Sequence, residues 1–310
     1  MATPSEAHRA GTAPQPRQVA ATAHLPFALV LAGGGARGLA HAGVLRALEH
    51  EGLVPAAVVG VSMGAIVGAT YALNPDWYRA LVAANVASIP GLAPETGEQR
   101  ATRLRAILAS GRALRHLVLR WGALTPARPA IEALLETLTL GKRIEDARIP
   151  FAAVATDLTS GRRAVLTSGR AAEAAYASSA LAGILPPVAH DGALLADGCY
   201  ADVAPIDVAR ALGGGALVIA VNPSAGVPSP APRNGLQAVL RAMDVSVQHH
   251  ALARFAQADL EIHIRLPFPV ATIDFNHQRT CVAAGVRAVR AQRSELAALL
   301  APATPVSATV

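Results

Sequence analysis

The chain alternates between short, wholly apolar runs and longer stretches in which apolar residues recur every three or four positions. Pro26 to Ala32 is the first such run. It ends in glycines, as expected of a parallel strand buried on both faces. From Gly38 to Glu51 the spacing turns helical, with Leu39, Ala42, Gly43, Leu45 and Leu48 on one side and Arg46, Glu49 and His50 on the other; Gly52 ends it. Ala56 to Val61 reads as a second strand, and Ala65 to Leu73 as a helix closed by Pro75. This is one βαβ unit. Such crossovers are right-handed and return the chain to the same sheet edge, where open α/β sheets build their sites.

Residues 76–148 carry helical spacing broken at Pro90, Pro94, Pro126 and Pro129, with no strand pattern, and read as a helical insertion or cap. The α/β pattern then resumes. Strands are expected at Pro150 to Thr156, Arg163 to Thr167, Leu194 to Asp197, Ala216 to Asn222 and Leu260 to Leu266. Helices are expected at Glu173 to Ala182, Ile206 to Leu212, Leu236 to Asp259 and Asn276 to Leu300. The pattern predicts an α/β fold with a mainly parallel sheet. Residues 1–24, rich in Ala, Thr and Pro, read as a disordered arm. Residues 25–222 read as the catalytic domain, 223–300 as a C-terminal extension packed on it, and 301–310 as a flexible tail.

Two glycine clusters sharpen this outline. Gly60-Val61-Ser62-Met63-Gly64 has the form of a nucleophile elbow, a serine on a tight strand-to-helix turn. It begins 27 residues after Gly33-Gly34-Gly35-Ala36-Arg37-Gly38, a run of backbone N–H donors at a helix start that suits an oxyanion. Gly33, Gly35 and Gly38 also match a dinucleotide fingerprint. That fingerprint wants an acid at the end of the following strand, and Ser62 stands there instead. Acyl transfer is the better reading.

Such a serine needs a base. An α/β-hydrolase order would recruit His249, His250, His263 or His277. In that fold, however, the elbow lies deep in the sheet, well after the glycine loop, and none of these histidines sits in an obvious loop after a strand. The other candidate is Asp197, at the end of a short strand and followed by Gly198. An ordinary aspartate is a weak base, so a Ser–Asp dyad requires a pocket that raises its proton affinity.

Five motifs in order, Gly-Gly-Gly-Ala-Arg-Gly (33–38), Gly-Val-Ser-Met-Gly (60–64), Val-Ala-Thr-Asp-Leu (154–158), Ala-Ser-Ser-Ala (177–180) and Asp-Gly (197–198), resemble those of the patatin-like phospholipase family, bacterial branch, across residues 27 to about 222. The resemblance implies a three-layer α/β/α sandwich and a lipid acyl hydrolase working without metal or nucleotide. It implies Ser62 as nucleophile, Asp197 as general base, and Gly33, Gly34, Gly35, Ala36, Arg37 and Gly38 as the oxyanion loop, with Gly60, Gly64 and Gly198 supporting the turns. The chain departs from the family at Cys199, where glycine or alanine is usual, and at Ala201-Asp202. Asp202 and Asp191 are expected as turn or surface carboxylates. The departure at Cys199 also leaves room for a second reading, a catalytically weak lipid-binding or regulatory adaptor.

Charge and composition add little to that choice. The net charge of +6 suits an anionic lipid surface, and no nucleic-acid partner is expected. Seven arginines and no acid fall between Arg100 and Arg128, interleaved with Leu104, Ile107, Leu108, Leu114, Leu117 and Val118. This run is the candidate for peripheral membrane contact, against the favoured reading of a docked helix with a solvated basic face. Two cysteines, Cys199 and Cys281, make no disulfide framework and fit a reducing, cytoplasmic location. Phe27 to Leu31 resembles a signal-peptide core, but cleavage there would destroy the glycine loop. The oligomeric state is left open by these residues.

Overall fold

The computed structural model describes residues 24–84, 86, 89, 125–224, 231–232 and 235–302, the last span without the side chains of 235–237 and 240. The basic run at 100–124, the arm at 1–23, most of the loop at 225–234 and the tail from 303 lie outside the described residues. Eight strands form one sheet: β1 (Phe27–Leu31), β2 (Ala57–Val61), β3 (Phe151–Asp157), β4 (Arg163–Leu166), β5 (Val188–His190), β6 (Ala193–Asp197), β7 (Leu217–Asn222) and β8 (Leu260–His263). The helices are α1 (Ala40–His50), α2 (Met63–Leu73), α3 (Trp77–Ala83), α4 (Arg128–Thr139), α5 (Ala171–Ser179), α6 (Ile206–Leu212), α7 (Gly235–Phe255), α8 (Gln278–Ala291) and α9 (Arg293–Leu300).

Parallel pairing joins β8, β7, β1, β2 and β3 in that order, while β4, β5 and β6 add antiparallel pairs beyond β2. Strand β1 is apolar throughout because both its faces are covered. Phe27, Leu29 and Leu31 point into one layer, with α1, α2, α5 and α8; Ala28 and Val30 point into the other, with α6 and α7. The result is the expected three-layer α/β/α sandwich with a mostly parallel sheet.

Strand β3 is paired along both of its edges. Ala155 and Thr156 of β3 pair with both β4 and β6, so these two lie on opposite edges of β3. Ala153 and Val154 likewise pair with both β2 and β4. Strands β2 and β6 therefore share one edge of β3 and meet end to end. The parallel strand β2 stops at Val61, opposite Val154, and the antiparallel β6 arrives with Asp197 opposite Ala155.

Several boundaries differ from the sequence reading. The helix expected from Gly38 opens instead with a 3-10 turn, Gly35–Leu39, before α1 begins at Ala40. Strand β8 stops at His263 rather than Leu266, since Pro267 and Pro269 cannot donate to a ladder. The final helix is two, broken at Gln292, whose side chain bonds the Glu261 carbonyl (2.9 Å) and so turns the chain back onto β8. Helix α8 lies against α1 with the backbones nearly touching: a Cβ on Gly43 would strike the Val282 carbonyl, and one on Gly285 the Ala40 carbonyl. No helix among the described residues is long and apolar enough to cross a membrane.

Candidate functional site

Ser62 sits between β2 and α2 with φ 54° and ψ −122°, a backbone conformation that costs a side-chain-bearing residue about 1–3 kcal/mol. Neighbouring contacts hold it there. The Ser62 N–H donates to Ser178 Oγ (2.9 Å), and the Ser178 hydroxyl donates onward to the Val154 carbonyl (2.6 Å). A Cβ on Gly64 would collide with the Leu31 carbonyl, so its absence lets the start of α2 rest on the end of β1. That contact brings the two glycine loops together.

The Ser62 hydroxyl donates to Asp197 Oδ2 at 2.7 Å, with both residues buried. The other carboxylate oxygen accepts the Cys199 N–H at 3.0 Å. Thr156 fixes the backbone beneath: its hydroxyl donates to the Asp197 carbonyl (2.8 Å) and accepts the Ala201 N–H (3.1 Å). Burial pushes the Asp197 carboxyl above the ordinary aspartate range, against the lowering effect of the Cys199 and Ser62 hydrogen bonds. This aspartate holds a proton more readily than a solvated one. Gly198 makes room for the junction, since a Cβ there would strike the Val154 carbonyl and approach Val61 Cγ1 at 3.0 Å.

In the Gly33–Gly38 loop, the N–H groups are not equivalent. Gly33 donates to the Val203 carbonyl (3.3 Å), and Ala36 donates to the Thr272 carbonyl (2.8 Å). The Gly34 and Gly35 N–H groups meet no acceptor among the described residues. Gly35 has φ 54° and faces Thr272 so closely that no side chain would fit. Arg37 is buried and turned to the Val270 carbonyl (3.4 Å), and desolvation lowers its pKa. The loop's arginine thus braces the chain at 270 and makes no hydrogen bond to the Ser62 hydroxyl.

A family model described as patatin-like phospholipase matches residues 29–210, well over half of the chain. The chain belongs to the patatin-like phospholipase family. Among curated proteins, it is 35% identical over 186 residues to "Lysophospholipase NTE1" of Pyricularia oryzae, covering 60% of this chain and 11% of that protein. It is 32% identical over 198 residues to "Patatin-like phospholipase domain-containing protein 7" of Rattus norvegicus, covering 63% of this chain and 13% of that protein. The chain therefore spans only about a tenth of the length of the curated relatives it matches. A solved structure, VipD from Legionella pneumophila, aligns with TM-score 0.45 and 15% identity over 88% of this chain and 66% of that one.

In this patatin-like chain, Ser62 and Asp197 are brought together, the glycine loop lies beside Ser62, and Gly60, Gly64 and Gly198 sit at the close approaches. The late histidines go elsewhere. His249 bonds the Val245 carbonyl, His263 pairs with Glu261 and His277 with Asp274. His41 is wholly buried, where desolvation drops its pKa to about 4, and its ring bonds the Ala32 carbonyl (2.8 Å). Cys199 Sγ fills the space that a side chain on Gly33 would need, and burial next to Asp197 pushes its thiol well above the usual range, so it remains protonated.

Asp202 requires a correction. Expected at a turn or surface, it is 6% exposed and lies in an ionic cluster. It accepts from Arg163 (2.8 Å) and from Arg254 Nε (2.9 Å), and both arginines also pair with Asp207. The cluster ties the segment after Asp197 to β4, α6 and α7. Asp191 is exposed, as expected. Ser178 and Thr156 stood inside two of the motifs noted in the sequence but had no assigned role; their hydroxyls are what fix the serine and the aspartate.

Proposed function

We propose that this chain is a serine hydrolase of lipid acyl esters. The observation that carries the reading is the buried 2.7 Å hydrogen bond from the Ser62 hydroxyl to a carboxylate whose proton affinity is raised by burial. Ser62 Oγ attacks the ester carbonyl carbon while its proton passes to Asp197 Oδ2. The Gly34 and Gly35 N–H groups, which meet no acceptor among the described residues, receive the negative charge that develops on the carbonyl oxygen. Collapse of the tetrahedral species breaks the bond to the leaving alcohol, which takes the proton from Asp197. Water, deprotonated by the same carboxylate, then releases the acid from the acyl-enzyme and restores Ser62.

The lipid character of the substrate is supported by family membership and by curated relatives named lysophospholipases. We read residues 25–222 as the catalytic unit and 223–300 as a segment packed on it. The close crossing of α8 with α1 supports that division of labour within one body.

The test is covalent labelling with a fluorophosphonate, alongside hydrolysis of p-nitrophenyl esters and phospholipids. Wild-type protein should label and turn over, and Ser62→Ala should do neither. Labelling that survives in Ser62→Ala would place the nucleophile elsewhere.

A further inference from the structure

Outside the Ser62–Asp197 site, the described residues hold an open cleft of about 630 Å³ between α8 and the segment that follows β8. It is lined by Arg265, Arg279 and Arg287 together with Leu266 and Pro267, and it includes neither Ser62 nor Asp197. A second hollow of about 440 Å³ adjoins it and shares Arg265 and Arg287. Arg279, Ala283 and Arg287 recur at four-residue intervals, one stripe on α8. All three arginines are exposed, and none makes an ion pair among the described residues. No acid occurs from Ile264 to Ile273 or from Arg279 to Arg293. Three guanidinium groups converging on one hollow repel each other until an anion enters.

The same segment carries apolar side chains into solvent. Phe268 is 40% and Ile273 46% exposed, on a stretch stiffened by Pro267 and Pro269. Strand β8 runs parallel to β7, and β7 to β1, so the segment leaves the sheet at the edge where Gly33 and Ser62 emerge. It also touches the catalytic loop directly, through the Thr272 carbonyl on the Ala36 N–H and the Val270 carbonyl on Arg37.

We propose that the 265–273 segment, with Arg279 and Arg287, is a docking surface for an anionic phospholipid bilayer. Phe268 and Ile273 enter the acyl boundary while the three arginines hold lipid phosphates. Exposed apolar groups beside unpaired cations are the combination an anionic bilayer satisfies and that free phosphate satisfies only in part. The inference deepens the reading of the chain as a lipid hydrolase, because docking here sets the catalytic edge against the membrane.

Its test uses binding, so it fails or succeeds apart from catalysis. Ser62→Ala protein is floated with vesicles of phosphatidylcholine alone and of phosphatidylcholine mixed equally with phosphatidylglycerol. The parent should bind the mixed vesicles, more weakly as salt rises. The triple variant Arg265→Glu, Arg279→Glu, Arg287→Glu should lose roughly 100-fold in affinity, at about one surface-potential increment per arginine. Phe268→Ser with Ile273→Ser should weaken binding to the mixed vesicles without changing its salt dependence. In the wild-type background, the triple variant should keep its turnover of a soluble short-chain ester, which reports that the fold is intact. Unchanged vesicle binding in the triple variant would overturn the proposal. So would thermal stabilisation by inorganic phosphate in a protein that ignores the mixed vesicles, which would mark a site for soluble phosphate.

Discussion

Replacing Ser178 by alanine would remove one hydroxyl and unfasten Ser62. Ser178 is fully buried, and its oxygen stands between the Ser62 N–H (2.9 Å) and the Val154 carbonyl (2.6 Å). The alanine methyl satisfies neither. A buried polar group left unpaired costs about 1–3 kcal/mol, and with two affected the loss should be roughly 2–6 kcal/mol. At about 2 °C per kcal/mol for a chain of this size, melting should fall by about 4–12 °C. The effect on chemistry is separate. Ser62 occupies a backbone conformation that itself costs about 1–3 kcal/mol, and the bond to Ser178 opposes its relaxation. Relaxation would swing the hydroxyl off Asp197, so fluorophosphonate labelling should slow by roughly 10- to 100-fold, matching a loss of about 1.4–2.7 kcal/mol at the transition state. Ser178→Thr keeps the hydroxyl and should label faster than Ser178→Ala at comparable stability. The assays are calorimetry for melting and stopped-time labelling for the serine. A Ser178→Ala protein that melts lower but labels at the wild-type rate would refute the claim that this bond orients Ser62.

The remaining predictions concern charge. Because burial raises the Asp197 pKa, the wild-type kcat/KM should fall on acidification through a pKa above the ordinary aspartate range, and Asp197→Asn should abolish turnover at every pH. The sign for stability runs the other way: the folded state holds this proton more tightly than the unfolded chain, so its contribution is complete below the unfolded pKa and lost as pH rises through the folded one. Asp197→Asn should therefore melt above wild type at neutral pH, with the gap closing in acid; a gap that widens in acid would contradict the raised pKa. Asp202→Ala leaves Arg163 and Arg254 facing each other across Asp207 alone, and should cost about 3 kcal/mol, at the low end for a broken buried pair because both arginines keep some solvent. Urea titration checks this, and a midpoint equal to wild type would show the cluster to be energetically idle.

The parts of this fold that were legible in the sequence share one physical property: their pattern is local. β1 and β2 announce themselves because a strand buried on both faces must be apolar throughout, and β7 does so nearly as well, being apolar from Leu217 to Val221. The elbow is legible because positive φ at Ser62 and the close passage of α2 over β1 need glycines at fixed offsets. What was hidden depends on partners far away in the chain. Asp202 reads as a turn residue until Arg163 and Arg254 arrive from β4 and α7. Nothing near residue 36 shows that the Ala36 N–H is already taken, because its acceptor is the Thr272 carbonyl. The strand at Val188–His190, too short and too exposed to carry a period, left no signal at all.

The Ser62–Asp197 pair is the instructive case, because it was inferred from motifs yet is built by register. A parallel strand delivers its following residue to one sheet edge, and an antiparallel strand ends at the opposite one, so a serine after β2 and an aspartate closing β6 would ordinarily lie apart. They meet here because β3 is longer than β2: seven residues against five. The surplus at Ala155–Asp157 gives β6 somewhere to pair on the edge that β2 has vacated. The two strands then point at each other, tip to tip, with Ser62 and Asp197 across the gap and Gly198 clearing the Val61 side chain. A slip of β6 by one residue on β3 would turn the Asp197 side chain to the other face of the sheet, away from Ser62. The Thr156 hydroxyl, bonded to the Asp197 carbonyl, opposes that slip from the strand itself. The register of three strands, more than any single side chain, makes an aspartate the partner of this serine.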